Sequence, residues 1–125
     1  MRTILSILVF LIGSTLEAHH STAAEFDLNR PVTLRGVVTK LEWMNPHAWL
    51  YIDTVATPGH AGEHWALELG SPSELIRRGW KRSDLKIGNA VIAEAVLAKA
   101  ARTTASVRTL TFADGTKVYT GFLNQ

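Results

Sequence analysis

Five side chains stand out as carriers of binding chemistry: His47, Trp49 and Tyr51 in the run HAWLYIDTV, and His64 and Glu68 in EHWALEL. Both runs alternate with the two-residue period of a strand that has one buried face. Ala48, Leu50 and Ile52 share one side of the first run, which leaves His47, Trp49 and Tyr51 on the other. Trp65, Leu67 and Leu69 fall together in the second, which leaves His64, Ala66 and Glu68 opposite. If the two strands pair as neighbours, the five side chains form one exposed patch. Aromatic rings in such a patch stack on flat or sugar-like groups, and imidazole and carboxylate add hydrogen bonding. The competing role is packing, with Trp49 and Tyr51 under an N-terminal arm or against a dimer partner.

Metal chemistry has a separate candidate. If a leader is cut after Ala18, the new α-amino group and the imidazole of His19 can chelate one ion, with His20 beside them. Amines and imidazoles suit Cu(II), Ni(II) or Zn(II), so copper and zinc are the candidate ions. The alternative is a terminus whose histidines sit in water. His60 to His64 reads HAGEH, which satisfies an inverted zinc-protease pattern. That pattern works on a helix, and Pro58, Gly59 and Gly62 argue against one here. Arg77, Arg78, Lys81 and Arg82 form a basic cluster, read as a solvated face with an anion site as the alternative. Trp43, Trp65 and Trp80 are read as packing residues. The sequence has no G-x-S-x-G elbow, phosphate loop or cysteine nucleophile, and it offers no positive sign of an enzyme.

The elements that must position these residues follow from the rest of the chain. A length of 125 residues allows one domain. Arg2 precedes the apolar run Ile4 to Gly13, which is too short to cross a bilayer of about 30 Å as a helix. It reads as the core of a signal peptide spanning residues 1–18, so the expected protein is periplasmic or secreted, with no membrane span after cleavage. The formal net charge is +2 and there is no cysteine, so neither nucleic acid nor a disulfide framework is expected. The expected partners are a small molecule, a metal ion or another periplasmic protein.

Residues 19–31 read as a polar, irregular arm, and the domain proper as 32–123. Val32 and Leu34 fall on opposite parity from Leu41 and Trp43, so a bulge or Gly bend is expected around Gly36 to Val38. Asn45-Pro46 supplies turn chemistry before His47. Ser71, Pro72, Glu74 and Gly79 mark a short helix with an N-cap, a first-turn proline and a C-terminal glycine. AVIAEAVLA is alanine-rich, yet the Gly88-Asn89 turn and its Val and Ile spacing make it a strand. SVRTLTF and KVYTGF are joined through Asp114-Gly115, a hairpin signal. The order is three strands, a helix, then two or three strands. This predicts a mainly β fold, a small OB-like barrel of five to six strands with the helix between strands three and four.

Several short motifs together resemble one family. They are His19-His20-Ser21, Glu25-Phe26-Asp27, Val32 to Gly36, Glu42-Trp43, Asn45-Pro46-His47, Trp65 with Glu68 to Pro72, Arg78-Gly79-Trp80, Leu85-Lys86 with Gly88, and Asp114-Gly115. The sequence is similar to the exported bacterial family catalogued as domain of unknown function 6152. The resemblance implies a small, signal-bearing, single-domain β protein, and it implies no reaction. Asn89 stands where that family has an aspartate, and Ala98 to Ser106 lacks the family's glycine. No ligand role is therefore expected of the loop between strands four and five.

Overall fold

The computed structural model describes residues 22–115 and 118–120. The expected signal segment, its cleavage site, His19 and His20 lie outside the described residues. The elements are α1 (Thr22–Glu25), β1 (Phe26–Glu42), β2 (Trp49–Thr54), β3 (His64–Glu68), α2 (Pro72–Arg77), a 3-10 turn (Arg82–Asp84), β4 (Ala90–Ala98), β5 (Thr104–Phe112) and β6 (Val118–Thr120). The fold is mainly β, with one short helix between β3 and β4. The strands lie in the order β3-β2-β1-β4-β5-β6, and β3 also pairs with β5 in parallel.

The first strand is longer than its composition suggests. Residues 19–31 read as an irregular arm, but Thr22–Glu25 make one helical turn and β1 starts at Phe26, opposite Ala98. Phe26 is buried. The polar look comes from a local break in the ladder: pairing with β4 is irregular between Phe26 and Pro31, and the Asp27 carboxylate accepts from Asn29 N at 3.0 Å. Arg108, the extra residue where β5 slips against β4, donates to Leu28 O at 3.3 Å and fills that break.

A second irregularity bends β1 where it meets β2. Val38 pairs with Ile52 but Lys40 pairs with Tyr51, so Thr39 is the bulged residue. The phase slip exists as the alternation implies, at Thr39 rather than between Gly36 and Val38. Gly36 has another role. A Cβ there would lie 2.4 Å from Asp53 O, so only glycine lets the two backbones approach this closely.

Inside the sheet, Val38, Leu50, Ile52, Leu67, Val91 and Leu110 are fully buried. The inward sets of β2 and β3 are those that alternation assigns. Leu75, Trp80 and Leu85 join this core from α2 and the turn after it. Ser71 caps α2, accepting from Glu74 N at 3.4 Å, with Pro72 in the first turn. At the other end Gly79, with φ 84°, donates to Ile76 O at 2.9 Å, and Trp80 N donates to Leu75 O at 2.9 Å. These two bonds form a Schellman motif, which turns the chain back so that Trp80 meets the core. Its ring stacks on Phe112 at a centroid distance of 6.2 Å. Residues 60–63 lead into β3, whose first residue is His64, so HAGEH is on no helix and its zinc-protease geometry is absent.

Substituting Gly36→Ala should destabilise the protein by about 2 kcal/mol or more, because the added methyl meets backbone and not a movable side chain. Urea unfolding would show this as a lower midpoint with an unchanged slope. An unshifted midpoint would mean that β1 and β2 part without penalty.

Candidate functional site

β2 and β3 pair antiparallel, with Trp49 opposite Glu68, Tyr51 opposite Ala66 and Asp53 opposite His64. The side chains expected on one face are on one face. They do not, however, form a single exposed patch. The structure divides them between a covered row and an open pocket.

The covered row runs across the sheet through the pairs Val96–Ser106, Ser106–Glu68 and Glu68–Trp49. Val96, Ser106 and Glu68 are buried, and Phe26 and Val96 are buried apart from the main core. The N-terminal turn is fastened close to this row. Lys99 N donates to Glu25 O at 2.9 Å and Lys99 Nζ to Ala23 O at 2.7 Å, which ties α1 down beside the row. Glu68 was expected in the open, and it is only 6% exposed. Strand alternation reports which face a residue takes and cannot report what later covers that face. His47, itself half-exposed, meets Glu68 Oε1 through its Nδ1. Burial pushes the Glu68 carboxyl up, the nearby Glu25 charge adds to this, and His47 opposes it.

The open part centres on Tyr51 and His64. Tyr51 Oη donates to Glu42 Oε2 at 3.0 Å, and Lys40 Nζ donates to Glu42 Oε1 at 2.5 Å. The same ammonium lies 4.9 Å from the Tyr51 ring centroid, a cation–π contact. Burial pushes the Tyr51 phenol up, and the Glu42 carboxylate adds to the shift. The hydrogen bond from Lys40 holds the Glu42 carboxyl below its ordinary range and raises the Lys40 amine. His64 Nδ1 pairs with Asp53 Oδ1, and its ring is 91% exposed. Beside these groups is a pocket of about 380 Å³, lined by Lys40, Tyr51, His64, Ala66, Trp65 and Thr104 among others. Trp65 Nε1 is buried in this wall without a hydrogen-bond partner.

Of the five expected residues, the pocket therefore takes Tyr51 and His64, while His47 and Glu68 pair apart from it. Trp49 is half-buried between Glu42 of β1 and Glu68 of β3. Lys40 and Thr104 were not foreseen. Lys40 lies just past the bulge, and Thr104 reaches Ala66 only through the parallel β3–β5 pairing. Neither has a local signal. Among the described residues, no group of three or more His, Cys, Asp or Glu is placed to hold a metal ion. Arg77, Arg78, Lys81 and Arg82 are exposed, and Trp65 and Trp80 are buried as packing residues. Trp43 is half-buried against the core. No helix among the described residues is long and apolar enough to cross a membrane.

The sequence matches a family described as Family of unknown function (DUF6152) over residues 8–107, and the chain belongs to that family. The match ends inside β5, so Asp114-Gly115 lies beyond it. No curated protein matches the chain, and no solved structure does.

The Glu68 shift has a definite sign. Its folded value lies above the ordinary 4.5, so its stabilising contribution is fully present below 4.5 and is lost as pH rises through the folded value. Urea midpoints measured from acid to neutral pH should show this falling contribution in the native protein and not in Glu68→Gln. His47→Ala should steepen it, since the imidazole opposes the shift. Parallel profiles for the native protein and Glu68→Gln would exclude an elevated Glu68.

Proposed function

We propose that the protein is an exported, periplasmic binding module that holds a small molecule in the Tyr51–His64 pocket. The pocket itself carries the reading. It is concave, its size falls in the range of about 300–1,000 Å³ typical of small-molecule sites, and its wall is mostly apolar with a few convergent polar groups. Lys40, Glu42 and Tyr51 are mutually bonded, which fixes the Tyr51 ring before any ligand arrives. His64 stands at the open side as a donor or acceptor, according to its protonation. A ligand with a flat apolar body and one or two hydrogen-bonding groups suits this set.

The architecture proposed for the module is an OB-like barrel. The pairings β3–β2, β2–β1, β1–β4, β4–β5 and β5–β3 return to their starting strand, and the capped helix stands between β3 and β4. OB folds use their second and third strands for ligands, the same face as the pocket. Export rests on the charged and apolar start of the sequence. A periplasmic fraction containing protein that begins at His19, read by mass, is the expected outcome; full-length protein in the cytosol would refute it.

Binding is tested by a small-molecule screen on the protein, followed through tryptophan indole N–H signals. Ligands that bind should shift the Trp65 signal, and both Tyr51→Phe and His64→Ala should weaken them. His64 is exposed, so its replacement should change stability by no more than about 0.5 kcal/mol. Hits that leave Trp65 unmoved and ignore both substitutions would place the function elsewhere.

A further inference from the structure

A second cleft forms where α2 ends. Its volume is about 430 Å³, and its lining is Trp43, Ile76, Gly79, Trp80, Lys81 and Arg82. We propose that this cleft binds a small amphipathic anion, with its apolar body against Trp43 and Trp80 and a carboxylate-type head on Lys81 and Arg82.

The shape comes from local backbone chemistry. The Schellman motif at Gly79 reverses the chain, so Trp80 packs on the core and Lys81 and Arg82 follow it at the surface. One ring of the wall is already fixed, because Trp80 stacks on Phe112. Trp43 arrives from the end of β1, packed against the core but only half-buried. Ile76 projects from α2 and is 60% exposed, an apolar side chain that its own helix leaves uncovered. A floor and rim of this kind attract apolar area.

Charge selects the occupant. Lys81 and Arg82 are both exposed at the rim, and Arg77 and Arg78 raise the local positive potential from α2. The nearby acid Asp84 accepts from Lys81 N at 2.8 Å, and Glu74 is engaged with Ser71 at the other end of the helix. A cationic amphiphile would meet like charge. A neutral one would gain only the apolar contacts. An anion gains both, because charge-assisted hydrogen bonds from Lys and Arg are the stronger class. A bilayer surface is a different partner with a different requirement, namely protruding apolar side chains in place of a concave wall.

The test uses octanoate, octanol and octylamine as probes, which share one chain and differ in head charge. Indole N–H signals of the four tryptophans report where each binds. Octanoate should shift Trp43 and Trp80 saturably and leave Trp49 in place, while octylamine binds at least about tenfold more weakly. Replacing the exposed pair together, Lys81→Glu with Arg82→Glu, should cost octanoate about tenfold and leave octanol unchanged. Ile76→Asp should remove binding of both, with the thermal midpoint confirming that the protein remains folded. Equal affinity for the three probes would overturn the anion assignment. Shifts confined to Trp49 or Trp65, or binding to phosphatidylglycerol vesicles without saturable octanoate binding, would overturn the cleft. Because the readout separates Trp43 and Trp80 from Trp65, failure here is distinct from failure of the Tyr51–His64 pocket.

Discussion

The short strand β3 has partners on both edges, and the rest of the molecule is arranged around that fact. On one side Leu50 and Ile52 of β2 stand opposite Leu67 and Trp65; on the other, Leu67 lies beside Ala105 of β5 in parallel register. Ala66 N donates to Thr103 O at 3.0 Å, which starts the parallel ladder just where β5 begins. With only a single partner, residues 64–68 would be an edge strand with unpaired amides in water. Doubly paired, they bring Thr104 next to Ala66 and so complete the wall that Tyr51 and His64 begin. The same ladder places Ser106 against Glu68 and makes the covered row continuous from β2 to β4.

Two carboxylates on this outer face are handled in opposite ways. Glu42 stays near water and is surrounded by donors, Lys40 and Tyr51, so its charge is favoured. Glu68 is taken out of water, and His47 only partly offsets the penalty. The first arrangement orients a ring at a pocket. The second links the N-terminal turn to the state of one proton through the charge of Glu25, which disfavours an ionised Glu68.

The sequence disclosed whatever depends on periodicity and on short-range caps. Ala48, Leu50 and Ile52 are inward because alternation leaves no other choice, and Ser71 with Pro72 and Gly79 delimits α2 through backbone geometry that only a few residues satisfy. AVIAEAVLA is β4, despite its alanines, because the Gly88 turn and the register against Val32 to Val37 dominate weak helical preference. What stayed hidden is non-local. The start of β1 at Phe26 was masked by polar residues at a break that Arg108 fills from eighty positions away. Glu68 looked exposed because alternation tells which face it takes, and its burial there depends on residues distant in sequence such as Ser106 of β5. Trp43 and Trp80 looked like packing residues, which they are, and only their joint placement at the end of α2 makes a cleft of them.

Helix α2 is closed at both ends by its own neighbours, with Ser71 at the start and the Gly79 reversal at the finish. Within it Leu75 alone is committed to the core, and Ser73, Ile76 and Arg77 face outward. Folding therefore constrains this segment at a few fixed points and leaves the intervening positions open to change. The rim of the neighbouring cleft can change by drift at those positions while the sheet and the Tyr51–His64 pocket stay as they are.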